Sequence, residues 1–235
     1  MCIICIENYD RQKIIHSSCV RLTVIPNIKG LWELDCADCP QLTTIANIEG
    51  LQELDCSNCP RLTKIPNIKG LQELYCSNYP LLTTILTIKG LQTLNCSNWP
   101  ILTAIPHIEG LQTLNCSNCP LLTEIPNIKG LQILDCSDCS LLTTIPIIHG
   151  LQELDCSNCP QLTSIPNIEE LLLYCHNCKW LKENYIDNIA DYNILIKILI
   201  KLQRWTRNNL RSRWAQDILD LKNSITKFLY ENNFS

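Results

Sequence analysis

A twenty-residue period runs through most of this chain and constrains its fold more than any other feature. Written in lines of twenty, Leu31, Leu51, Leu71, Leu91, Leu111, Leu131 and Leu151 fall in one column. Leu22 to Leu162, Thr23 to Thr163, Ile25 to Ile165 and Ile28 to Ile168 recur without exception through eight lines, and all seven glycines share the column from Gly30 to Gly150. A single unit of this length has too small a buried face to fold alone, so the units must stack and share a core.

Within one line the apolar positions are Leu31, Leu34, Cys36, Cys39, Leu42, Ile45 and Ile48. Their steps are three residues with a single step of two, and never four, so no α-helix is expected inside the repeat. The step from Leu34 to Cys36 is strand alternation, which puts Glu33, Asp35 and Ala37 on the opposite face. The steps of three suit an extended backbone, with φ fixed by the proline column Pro26 to Pro166, which Ala46 and Leu86 interrupt. Each line is therefore one coil: a short strand, a turn at Cys39-Pro40, an extended return and a glycine turn that requires φ > 0.

The pattern L-x-x-L-x-C-x-x-C-x-x-L-x-x-I-P-x-I resembles a leucine-rich repeat of the shortest class, with cysteine where many versions carry leucine in the strand and asparagine after it. The resemblance covers about residues 11–181, some eight to nine repeats. It implies a right-handed solenoid of the α/β superhelix class, with a parallel β-sheet on its concave face and almost no helix within the repeats. It also implies that the concave face binds other proteins. Together with the tail ILIKLQRWTRNNLR, the repeats are similar to those of leucine-rich-repeat proteins of giant amoeba-infecting DNA viruses of mimivirus type, which would put the protein in a host cytoplasm.

Seventeen cysteines, most of them in the core columns Cys36 to Cys156 and Cys39 to Cys159, read as reduced, small apolar core residues of an intracellular protein. Side chains in stacked coils point the same way, a poor geometry for disulfides. The recurring C-x-x-C units are read as core for the same reason, because a zinc site needs four converging ligands. Neither CIICI at 2–6 nor ILIKILI at 194–200 is long enough for a signal peptide or a membrane span. His16, His107, His149 and His176 lie in different columns, so no catalytic set, metal or cofactor site is expected.

Residues 1–10 read as an N-terminal strand or cap, with Cys2 to Ile6 extended, and residues 11–30 as a degenerate first coil in which His16 takes a strand-core place. Tyr79 and Trp99 replace cysteine in consecutive coils. Their rings are expected to swing out at the turn, or to form an aromatic patch on the rim, because close-packed coils tolerate extra volume poorly. The last strand, Leu173 to His176, arrives one residue early, and Cys175-x-x-Cys178 closes the solenoid. From 182 to 235 the composition is helical. A basic, amphipathic segment from Lys197 to Arg213 partly resembles an IQ motif, and is either a cap over the open end of the solenoid or a docking site for a calmodulin-like partner. Residues 179–235 carry ten basic and six acidic side chains, net +4, which against the overall −4 leaves −8 on the solenoid.

The outward columns of the strand face are Glu33, Glu53, Glu73, Thr93, Thr113, Ile133, Glu153 and Asp35, Asp55, Tyr75, Asn95, Asn115, Asp135, Asp155, followed by serines from Ser57 to Ser157. Like charges stacked on adjacent strands are unfavourable, so a cationic partner is the natural complement. The chain is thus expected to be a monomeric, non-enzymatic scaffold that binds a basic protein or peptide on this face and no nucleic acid. The alternatives are a substrate adaptor for a ubiquitin ligase, and a structural or virion component without a specific ligand.

Overall fold

The computed structural model describes residues 13–15, 18–165, 168, 171–175, 177 and 178. The expectations for strand 2–6, His16, His176 and the helices and docking segment of 182–235 fall outside the described residues. Eleven strands follow in chain order: β1 (Lys13–Ile15), β2 (Val24–Ile25), β3 (Glu33–Asp35), β4 (Thr44–Ile45), β5 (Glu53–Asp55), β6 (Glu73–Tyr75), β7 (Thr93–Asn95), β8 (Thr113–Asn115), β9 (Ile133–Asp135), β10 (Glu153–Asp155) and β11 (Leu172–Tyr174). All but β2 and β4 form one parallel nine-stranded sheet, and no helix occurs among the described residues.

Each strand pairs with its counterpart one coil on: Glu33 lies opposite Glu53, Glu53 opposite Glu73 and Asp135 opposite Asp155. The last pairing sets Glu153 against Leu172, a repeat short by one residue. The early arrival of the final strand is therefore correct, although its ladder covers Leu172–Tyr174 and not Leu173 to His176. Three-residue strands follow from the spacing, since only the step from Leu34 to Cys36 alternates. Leu34, Leu54, Leu74, Leu94, Leu114, Leu134 and Leu154 are buried behind the sheet with both cysteine columns, so the core is a stack of identical layers.

The expected turn at Cys39-Pro40 is present, and a left-handed residue before it starts the reversal. The chain reverses at Asp38, Asn58, Asn78, Asn98, Asn118, Asp138 and Asn158, with φ between 54° and 63°, one residue before the expected Cys39-Pro40 position. Asn and Asp tolerate the left-handed region because their short polar side chains bond locally. A second turn follows in which Leu42 donates its N–H to the Cys39 carbonyl at 3.1 Å, with Pro40 at the position that favours its fixed φ. At the other end of the coil Gly110 and Gly130 have φ of 87° and 90°. No atom lies within 4 Å of where their Cβ would stand, so conformation alone demands glycine there.

On the return side pairing is sparse. Thr43 donates both its N–H and its hydroxyl to the Thr23 carbonyl, at 2.8 and 2.9 Å. Thr143 and Thr163 do the same one coil on from Thr123 and Thr143. The proline column removes a donor from every coil it occupies. Where Ala46 interrupts it, the freed N–H bonds the Ile25 carbonyl at 2.9 Å and extends the β2–β4 pairing.

Tyr79 and Trp99 do not swing out, nor do they form a rim patch: they are 1 % and 0 % exposed. Their rings meet edge to face at a centroid distance of 5.6 Å and an interplanar angle of 62°. The volume argument failed because each ring carries a polar atom that the interior requires. Cys59, Cys119, Cys139 and Cys159 donate their thiols to the carbonyl of the strand cysteine one coil earlier, at 3.2, 3.5, 3.3 and 3.2 Å. Tyr79 Oη and Trp99 Nε1 donate to the equivalent carbonyls of Cys56 and Cys76 at 2.5 and 2.6 Å.

Candidate protein-binding face

The side chains proposed to meet a partner are positioned by the sheet. Glu53, Glu73, Thr93, Thr113 and Glu153 start their strands half-buried, Ile133 is exposed, and Glu33 is buried. In the next outward column Asp35, Asp55, Tyr75, Asn95, Asn115, Asp135 and Asp155 are all half-buried. Parallel in-register pairing stacks equivalent residues, so the two acidic ends and the neutral middle expected from the sequence lie along one face.

Much of the aspartate column is occupied within the fold. Asp35 Oδ1 accepts the N–H of Ala37 at 3.0 Å, Asp55 that of Ser57 at 2.9 Å, Asp135 that of Ser137 at 3.1 Å and Asp155 that of Ser157 at 2.9 Å. Asn95 and Asn115 do the same for Ser97 and Ser117 at 3.1 and 3.0 Å. These bonds lead the strand into the left-handed residue that follows, as in an Asx turn. Aspartate and asparagine alternate in this column because either supplies the accepting oxygen. Tyr75 cannot; there Ser77 N–H turns to Ser57 Oγ at 3.2 Å, while the phenol donates to Glu73 Oε2 at 2.7 Å. Burial, followed by that bond, pushes the Tyr75 hydroxyl up to about 12.

The serine column is not the outward surface the sequence suggested. Ser57, Ser97, Ser137 and Ser157 are buried at the turn, and Ser157 Oγ has no hydrogen-bond partner among the described residues. The glutamate column and the second oxygens of the aspartates carry the outward charge.

Two carboxyls at the β9–β10 end are shifted by their surroundings. Desolvation, with the Asp155 and Asp135 carboxylates beside it, holds the Glu153 carboxyl above its ordinary range. Burial raises Asp135 as well, against the lowering effect of Ser137, and Asp155 adds to the rise. The strand-column thiols Cys36, Cys76, Cys96 and Cys136 are pushed well up by burial, and Cys56 to about 12, so they stay protonated donors without nucleophilic character. No group of three or more metal-ligating side chains occurs among the described residues. Nor is any helix there long and apolar enough to cross a membrane.

One further surface was legible in the spacing but not singled out: Leu81, Leu121 and Leu141, at equivalent positions of the return side, are exposed.

A family model described as Leucine Rich Repeat matches residues 110–128. The chain is similar in structure to a leucine-rich repeat protein from Bacteroides ovatus, with a TM-score of 0.50 at 17 % identity over 72 % of this chain and 56 % of that one. It is also similar to the functional domain of InlJ from Listeria monocytogenes, which includes a cysteine ladder, with a TM-score of 0.50 at 23 % identity over 70 % of this chain and 44 % of that one. The fold is a leucine-rich-repeat solenoid. The chain spans about half the length of these two structures. No curated protein sequence matches it. Within the leucine-rich-repeat frame the present chain takes its internal donors from thiols, a phenol and an indole, all aimed at the same class of buried carbonyl.

Proposed function

We propose that this leucine-rich-repeat solenoid is a non-enzymatic scaffold that binds a basic protein or peptide along the open face of its sheet. Solenoids present extended surfaces of this kind on rigid, regularly spaced strands. The observation that carries the reading is the cluster of Asp135, Glu153 and Asp155, which the strand register holds together and in which burial, with the Asp155 carboxylate adding to it, raises the proton affinity of Asp135 and Glu153. Cationic side chains from a partner relieve that repulsion and gain charge-assisted hydrogen bonds. The middle of the face, with Tyr75, Thr93, Asn95, Thr113 and Asn115, adds neutral donors and acceptors and sets the partner's register. The ladder needs protonated sulfur to donate, which supports a reducing, intracellular setting.

The test is affinity capture from the native cell with paired variants. Glu53→Lys, Glu73→Lys and Glu153→Lys reverse the glutamate column, while Asp55→Asn and Asp155→Asn keep the turn-forming oxygen. A basic partner captured by the parent chain, released by moderate salt and lost in the variant with no fall in Tm, is the expected result. Capture that survives the whole set of changes removes the assignment.

A further inference from the structure

A cavity of about 370 Å³ opens on the return side, between the coils of residues 61–70 and 81–90. Its origin can be followed residue by residue. In neighbouring coils the leucine after the proline turn donates its N–H to the residue three before it, Leu62 to Cys59 at 2.9 Å and Leu102 to Trp99 at 3.3 Å. Leu82 makes no such bond to Tyr79, and it is half-buried where Leu62 and Leu102 are fully buried. Leu86 replaces the proline of that coil, so φ is not fixed there. Thr63 and Thr83, like Thr103 and Thr123, make neither of the bonds by which Thr43 and Thr143 tie their coils together. Leu81 is 68 % and Leu86 41 % exposed.

The lining is graded. Ile65, Ile85, Ile88 and Leu74, the last from β6, form its buried wall. Its exposed lining residues include Thr63, Thr83, Thr84 and Lys64, and no carboxylate lines it. The surrounding charge has the same sign. Between residues 56 and 108 the sole acidic side chain is Glu73, on the sheet face, whereas Arg61, Lys64, Lys69 and Lys89 fall in the two coils that bound the cavity. In a chain of net charge −4 this is a local reversal. The volume lies near the lower end of the roughly 300 to 1,000 Å³ typical of small-molecule sites.

We propose that this cavity binds a medium-chain amphipathic monoanion of the fatty-carboxylate class. The hydrocarbon tail lies against Leu81, Leu86, Ile65 and Ile85, and the carboxylate meets Lys64 and the threonine hydroxyls at the mouth. The site is separate from the sheet face and stands or falls independently of partner binding there.

Calorimetric titration of the full chain with decanoate and with decan-1-ol tests it. Decanoate is expected to bind saturably at one site. Lys64→Glu should weaken decanoate by about tenfold, the loss of one charge-assisted contact, and leave decanol unchanged. Ile85→Phe, which fills the cavity from its wall, should weaken both. No saturable binding of decanoate to the parent chain overturns the proposal, as does decanoate binding that Lys64→Glu or Ile85→Phe leaves unchanged. Thermal unfolding of each variant identifies any that has lost the fold, and the surface variant Lys64→Glu keeps the test decisive if a core variant has.

Discussion

Trp99 and Cys76 are joined by a hydrogen bond from the indole Nε1 to the main-chain carbonyl at 2.6 Å, inside a column of the core that thiols otherwise fill. Stacked three-residue strands leave the carbonyl after each one pointing inward, where an unpaired acceptor is costly. A thiol meets that need weakly, and at 3.2 Å for Cys59 it does so at longer range. The substitution of cysteine by tyrosine and tryptophan therefore conserves a donor, and the coil adjusts its volume around it.

The donor can be removed with little change in bulk. Trp99→Phe should destabilise the solenoid by roughly 1 to 3 kcal/mol, the range for a buried acceptor left unpaired together with some lost volume. Urea denaturation followed by circular dichroism measures this as a lower midpoint at unchanged slope. A change below about 0.5 kcal/mol would mean that the Cys76 carbonyl is satisfied without the indole.

The sequence made the coil legible and the chemistry of its turns much less so. Strand, return, glycine turn and core columns follow from the spacing of Leu34, Cys36 and Gly30, because periodicity reports which face is buried. It does not report hydrogen bonds. The Asn58 column was passed over, although an unbroken run of Asn and Asp before Cys59 already signalled the left-handed turn. Asp55 was read as free charge because nothing in a column of carboxylates distinguishes an oxygen held by Ser57 N–H from one facing solvent. Tyr79 was placed outside on volume alone, and the cavity beside Leu82 is visible only once the coils are stacked.

Backbone conformation is separable from packing at Gly110 and Asn58. Nothing lies within 4 Å of a Cβ at Gly110, yet its φ is 87°, so Gly110→Ala should cost about 1 to 2 kcal/mol through strain alone. Asn58, at φ 56°, should tolerate glycine within a few tenths of a kcal/mol and lose about 1 kcal/mol as alanine. Tm should fall least for Asn58→Gly, more for Asn58→Ala and most for Gly110→Ala.

Thiol accessibility provides a map of the ladder. Cys56, Cys76, Cys96 and Cys116 are fully buried and free, with their proton affinity raised in the first three chiefly by desolvation. In the native protein they should resist iodoacetamide at pH 8 and react only as fast as the solenoid opens. Half-exposed Cys19 should be alkylated ahead of them. Peptide mass mapping at timed quenches gives the order, and rapid native labelling of Cys96 would place that column outside the core.

The acidic end of the sheet makes a prediction in pH. Asp135 and Glu153 hold their protons more tightly in the folded chain than in the unfolded one, so they oppose folding only once deprotonated. The penalty is absent below the ordinary carboxylate range near about pH 4, grows as pH rises through the raised folded values, and persists at neutrality. Asp155→Asn removes one of the charges responsible and keeps an oxygen for Ser157 N–H, as Asn95 and Asn115 do for Ser97 and Ser117. The variant should gain roughly 0.2 to 1 kcal/mol at pH 7, the range for a relieved like-charge pair on neighbouring strands. That gain should shrink in 1 M salt, where the screening length is about 3 Å, and vanish below about pH 4. Denaturation midpoints across pH check the sign, because a gain that persists in acid would have to come from packing and not from charge.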